Sequence, residues 1–208
     1  RADEVMAAAD VREFIPPVVR RFTSPHGSMP RTHILSNGRY AVMLTAAGSG
    51  YSRWRDIAIT RWSEDVTRDM GGSYVYLRDV HNRESWSVGY QPSKREPDSY
   101  EVVFSEDRGR ITRRDGGIVT TLDLIVSSED DAEVRRISLT NLGSRARELE
   151  VTSYAEVVLT APSADAAHPA FSNLFVQTEC APELDALLAT RRPREAGEPE
   201  VWLAHVVA

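Results

Sequence analysis

The 208-residue sequence contains one cysteine, Cys180, and one lysine, Lys94. A lone cysteine excludes any intrachain disulfide, so the fold must rest on non-covalent packing, and the redox compartment stays open. With Lys94 alone among 25 basic residues, the cationic charge is almost entirely arginine. Acids number 31 and the net charge is −6. No basic run exceeds two residues, so a nucleic-acid partner is not expected. The same balance argues against docking on an anionic membrane. No signal peptide is visible, and no apolar run approaches the ~20 residues that cross a bilayer.

Several chemical motifs are missing as well. There is no G-x-S-x-G elbow, and Gly48-Ser49-Gly50 lacks the rest of any phosphate loop. The five histidines (His26, His33, His81, His168 and His205) are scattered without ligand spacing. Neither a metal nor a cofactor is expected.

What is present describes a β protein. A hydrophobic fraction of 41% supplies a sizeable core, and 27% charge keeps it soluble. The length suits one large sandwich. Only residues 2–24 read as helical: Val5, Met6, Ala9 and Val11 recur at helical spacing until Pro16-Pro17 interrupts them. The expected division is an arm or linker over 1–29 and a sandwich over 30–208. The chain opens at Arg1 and stops within apolar Val201–Ala208, which suggests a C-terminally truncated fragment of a longer protein.

After Pro30 the period changes to two. Asn37-Gly38 marks a hairpin, expected as a type I′ turn joining Thr32–Leu35 to Arg39–Thr45. The bend Ala47-Gly48-Ser49-Gly50 leads into a long strand, Tyr51–Trp62. Further strands are expected at Ser73–Val80, Ser85–Tyr90, Tyr100–Ser105, Arg110–Arg114, Ile118–Val126, Glu133–Asn141, Glu148–Leu159, Leu187–Arg192 and Val201–Val207. In Glu148–Leu159, Leu149, Val151, Ser153, Ala155, Val157 and Leu159 share one face, which predicts one long strand with one wet face. Ala161–Cys180 reads as a long irregular segment, of the length that usually serves function or an interface. The sum is an all-β fold, a large antiparallel sandwich.

Residues 50–62 carry the densest chemistry. Sugars are held by rings stacked on their apolar C–H faces and by planar charged groups bonding their hydroxyls. Tyr51, Trp54 and Trp62 supply rings, Arg53, Arg55 and Arg61 supply donor forks, and Asp56 supplies acceptors. The competing reading is a half-buried strand whose tryptophans are core and whose arginines form surface pairs. Tyr74, Tyr76 and Trp86 invite the same two readings, with core favoured. The acidic groups Glu106-Asp107 and Glu129-Asp130-Asp131 read as solvated turns rather than a glycosidic carboxylate pair. An aldose mutarotase would need a His and a Glu converging on a sugar ring; His33, His81 and His168 show no such pairing.

Leu35-Ser36-Asn37-Gly38-Arg39-Tyr40, the Gly48–Ser52 bend and the Arg53–Trp62 strand resemble the N-terminal sandwich of glycoside hydrolase family 94. The likeness continues through Tyr76–Asp79, Trp86-Ser87, Tyr90-Gln91-Pro92, Leu139-Thr140-Asn141, Glu150–Glu156 and His168-Pro169-Ala170-Phe171. That bacterial family holds cellobiose and chitobiose phosphorylases and the phosphorylase-like region of cyclic β-1,2-glucan synthases, and the match looks nearest to the synthases. The resemblance implies a galactose-mutarotase-like supersandwich followed by an (α/α)6 barrel that carries the catalysis. It therefore implies a non-catalytic domain with no catalytic residues of its own. That domain either binds or shapes the glucan site, through Tyr51, Arg53, Trp54, Asp56, Arg61 and Trp62, or serves as scaffold and dimer interface. The implied partners are a glucan or gluco-oligosaccharide, the barrel of the same protein and a second subunit. The implied location is cytoplasmic, in a parent held at the inner membrane. The scaffold reading also predicts exposed apolar side chains at Phe171–Phe175 and Val201–Ala208.

Overall fold

The structure is a computed structural model that describes residues 18–62, 72–193, 197–198 and 200–208. In chain order the strands are β1 (Arg20–Phe22), β2 (Thr32–Ser36), β3 (Tyr40–Thr45), β4 (Gly50–Trp54), β5 (Ile57–Thr60), β6 (Ser73–Asp79), β7 (Ser85–Ser87), β8 (Ser99–Ser105), β9 (Arg108–Asp115) and β10 (Ile118–Val126). Next come β11 (Glu133–Asn141), β12 (Leu149–Ala155), β13 (Val157–Thr160), helices α1 (Pro162–Ala167) and α2 (Pro169–Asn173), β14 (Val176–Ala181), β15 (Ala186–Arg191) and β16 (Trp202–Val206).

The strands form four antiparallel sheets, ordered β1-β8-β9-β10-β11, β13-β5-β4-β3-β2, β12-β6-β7 and β14-β15-β16. The all-β expectation holds, because alternation in β8, β9 and β10 puts every second residue on the core face. Val102, Phe104, Ile111, Leu122 and Leu124 from those strands meet Val42 and Leu44 of β3, Leu77 of β6 and Trp86 of β7 in one cluster. Trp86 is 1% exposed and Tyr74 3%, so both are core; Tyr76 is half-buried.

Several expectations are corrected. The helical reading over 2–24 falls mostly outside the described residues, but its last part contains β1, which pairs with β8 at Arg21↔Val103. Tyr51–Trp62 is not one strand: Trp54 pairs with Ile57 across a tight turn in which Arg55 takes a positive φ of 50°. The Asn37-Gly38 turn is not type I′, because only Gly38 has positive φ (+89°). Asn37 instead uses its side chain, whose Oδ1 accepts from the N–H groups of Arg39 (3.0 Å) and Tyr40 (2.8 Å).

The long Glu148–Leu159 strand divides near Glu156 into β12 and β13, which join different sheets, and Leu159 turns to a φ of 53°. β12 is an edge strand and both of its faces are wet: Val151 is 52% exposed on one and Tyr154 46% on the other. Ala161–Cys180 is not irregular, since it contains α1, α2 and β14.

One close approach is dictated by glycine. A Cβ on Gly50 would lie 1.8 Å from the Met43 carbonyl oxygen, so only glycine can start β4 against β3 here.

Candidate functional site

The β4–β5 hairpin and its neighbours divide the six candidate residues among three environments. Side chains alternate along β4, so Tyr51 and Arg53 face one way while Ser52 and Trp54 face the other.

Trp54 packs against the core cluster, and its indole N–H donates to Asp131 Oδ2 at 2.6 Å. The Arg55 guanidinium lies 4.8 Å from the centre of its ring. Trp54 is thus half-buried and tied into the fold on this side of β4.

Its surroundings explain why. Asp131 also accepts from Arg39 Nε at 2.9 Å, and Asn37 Nδ2 donates to the carbonyls of Ser127 (2.8 Å) and Asp130 (2.9 Å). Below them Glu133 Oε2 accepts from Ser52 Oγ at 2.5 Å and Tyr40 OH at 3.1 Å, while Arg135 Nε donates to Oε1 at 2.7 Å. Burial alone would raise the Glu133 pKa. The Arg135 charge and the bonds from Ser52, Arg135 and Tyr40 outweigh it and hold the carboxyl below its ordinary value. Burial, then the Glu133 charge, pushes the Tyr40 phenol up. The acidic run 129–131 does form a turn, as expected, but it is a clasp between two sheets.

Tyr51 and Trp62 come together on the opposite side. Their ring centroids lie 5.4 Å apart with planes tilted by 56°, and Trp62 is 41% exposed. Arg53 is on the same face of β4 as Tyr51 but bends toward the hairpin turn. There its Nε donates to the Arg55 carbonyl at 2.6 Å and its Nη2 to Asp56 at 3.0 Å. Asp56 is at the tip, its side chain 99% exposed.

Arg61 is elsewhere again. Its Nε and Nη2 make a two-pronged pair with Asp165, both bonds 2.8 Å, and Nη2 also reaches Asn173 Oδ1 at 2.6 Å. Nη1 donates to Glu156. The bond that Arg61 donates to Asp165 is the main influence raising the Arg61 pKa, against the cost of burial. Asp165 is held low: burial pushes it up, but the bonds that Arg61 donates and the charges of Arg61 and Arg191 prevail. Glu156, Asp165 and Asn173 are not legible from sequence as partners of Arg61, from which they are 95 to 112 residues away. The available signal was slight: Pro162 opening a short helix, with Asp165 in its first turn.

Of the histidines weighed for mutarotase chemistry, His33 has no carboxylate as its side-chain partner. His33 stacks on Phe104 with centroids 4.9 Å apart, and its Nδ1 lies 3.1 Å from Arg20 Nη2, a cation rather than a carboxylate. Burial, with Arg20 adding to it, lowers the His33 pKa. His26 pairs with Glu96 at 3.0 Å, a partnership the sequence did not reveal. Both side chains are more than half exposed. Among the described residues no group of three His, Cys, Asp or Glu side chains is placed to hold a metal ion, and no helix is long and apolar enough to cross a membrane.

A second kind of surface lies beyond the hairpin. Phe171 of α2 is 54% exposed and Leu174 70%, while Trp202 and Val206 of β16 are 53% and 58% exposed.

Comparison with known proteins fits this architecture. Residues 16–208 match the sequence profile described as "Glycosyl hydrolase 94, supersandwich domain". The cyclic beta-(1,2)-glucan synthase NdvB of Rhizobium meliloti (strain 1021) is 37% identical over 195 residues, 94% of this chain and 7% of that protein. An N,N'-diacetylchitobiose phosphorylase of Vibrio furnissii is 28% identical over 152 residues, 71% of this chain and 18% of that protein. A solabiose phosphorylase of Paenibacillus borealis is 30% identical over 132 residues, 64% of this chain and 16% of that protein. The chain therefore spans less than a fifth of the length of each of these relatives.

Proposed function

Since the chain belongs to the glycosyl hydrolase 94 supersandwich family, we propose that it is a non-catalytic module of a β-glucan-processing protein and that it borders the path of the sugar. The observation that carries this reading is the Tyr51–Trp62 pair, two rings in contact with Trp62 41% exposed. An exposed indole face can stack on the C–H face of a glucose ring, and the Asp56 carboxylate at the hairpin tip can accept from its hydroxyls.

Magnitudes set what to expect. A fully covered tryptophan buries roughly 150–250 Å², worth at most about 4–6 kcal/mol at ~25 cal/mol per Å². A ring pair open on one side gains about half of that, and association itself costs several kcal/mol. Binding should therefore be about millimolar.

The test is a two-dimensional NMR titration with β-1,2-gluco-oligosaccharides at millimolar concentration, with cellobiose as comparison. The expected result is shifts of the Trp62 indole and of backbone signals over 51–62, lost in Trp62→Ala. No shift at any residue would overturn sugar contact by this chain.

The exposure of Phe171, Leu174, Trp202 and Val206 favours a second reading, an architectural one. On it the module docks the (α/α)6 barrel of its parent, or a second subunit, and leaves the sugar to them. A silent titration together with retained synthesis by a parent carrying Trp62→Ala would favour this alternative.

A further inference from the structure

We propose that Arg61 is a positioning residue that fastens the segment Pro162–Asn173 to the end of β5, next to Trp62. What the ordered Trp62 ring serves rests on the proposed function; the fastening does not.

α1 has six residues and α2 five, far below the ~12–15 at which an isolated helix becomes even marginally stable in water. Neither helix has a side-chain cap bond at its N-terminus. Something outside the helices must hold them, and two arginines do so.

Arg61 binds the segment at three points: Asp165 in α1, the Pro169 carbonyl at 3.3 Å and Asn173 at the end of α2. Through Glu156 it also binds the chain just ahead of β13. Arg191 of β15 adds a separate anchor, its Nη1 donating to the carbonyls of Val158 (3.0 Å) and Ser172 (3.1 Å). The side chains of Arg61 and Asp165 are 15% and 9% exposed, so the pair is well shielded from solvent. Shielding makes these charge-assisted, two-pronged bonds stronger than surface pairs.

The geometry also explains why arginine is required. A lysine at position 61 would keep the charge but present one ammonium where the structure uses a planar fork. Arg61 is followed directly by Trp62, so whatever orders the guanidinium also orders the backbone that carries the ring.

The test uses the 208-residue chain in five forms: unmodified, Arg61→Met, Arg61→Lys, Asp165→Asn and the Arg61→Met, Asp165→Asn double variant. Amide hydrogen exchange is followed residue by residue, with the sugar titration run alongside. Arg61→Met and Asp165→Asn should each speed exchange over 161–175 by on the order of tenfold, while β8 to β10 stay unchanged. Arg61→Lys should fall between these and the unmodified chain, and combining Arg61→Met with Asp165→Asn should add little beyond either alone.

Unchanged exchange over 161–175 in Asp165→Asn would overturn the proposal. So would acceleration spread evenly over all sheets, which would mark general loss of stability rather than release of one segment. If Arg61→Met does not fold, Asp165→Asn and Arg61→Lys still decide. If the unmodified chain shows no sugar shifts, the functional reading fails while the exchange data judge the fastening alone.

Discussion

Trp54 donates its indole N–H to Asp131 at 2.6 Å across 77 residues of chain. That bond ties half-buried Trp54 to the Ser127–Glu133 loop, whereas Trp62 is 41% exposed. Trp54→Phe keeps a ring but loses the bond, and should lower unfolding stability by about 1–2 kcal/mol. Trp54→Ala should cost about 3–5 kcal/mol. Urea unfolding measures both; a Trp54→Ala protein as stable as the unmodified one would show that the ring is not part of the core.

Arg113 and Asp115 form a fully enclosed ion pair, the arginine 0% exposed, joined by bonds of 2.7 and 2.6 Å. The same guanidinium donates to the carbonyls of Ser87 (2.9 Å), Gly89 (2.6 Å) and Arg95 (3.2 Å). Arg113→Met would leave a buried carboxylate and three carbonyls short of a donor, with an expected loss of about 3–5 kcal/mol. Replacing both charges, as Arg113→Met with Asp115→Leu, should recover part of it. Thermal unfolding of the two proteins tests this, and equal stability of the single variant and the parent would refute it.

Glu133 makes the fold acid-sensitive. Its folded pKa is depressed below its unfolded value of about 4.3. Its contribution is therefore full above about pH 4.3 and is lost as the pH falls through the folded value. Glu133→Gln should be less stable at neutral pH and should show a flatter decline below about pH 4. Unfolding free energies measured across the acid range for both proteins would decide; parallel acid limbs would rule Glu133 out as a source of the slope.

The strand content was legible because alternation is a local property: β10 and β11 fall where the sequence placed them, at Ile118–Val126 and Glu133–Asn141. The breaks were not. Arg55 holds a left-handed turn residue's place without being Gly, Asn or Asp, so the β4–β5 hairpin left no turn signal. Asn37-Gly38 gave the hairpin but the wrong turn, because the Asn37 side chain is recruited by a loop some 90 residues away. The candidate site was read as a set of six and is three separate places. What separates them is the partner of each side chain, and Asp131, Asp165 and Glu156 are remote in sequence. The apolar exposure expected around Phe171 and Val201–Ala208 is present at Phe171, Leu174, Trp202 and Val206.

The clasp at Ser127–Glu133 also dictates when this chain can finish folding. Trp54, Asn37 and Tyr40 find partners there only across 77 to 93 residues. At roughly 5–20 residues per second of synthesis, the first meander waits several seconds before its partners are even made. Until then the bonds that hold the Trp54 indole and the Tyr40 hydroxyl to that loop cannot form. Closure is therefore a late and long-range event, slow by the logic that links folding rate to sequence separation.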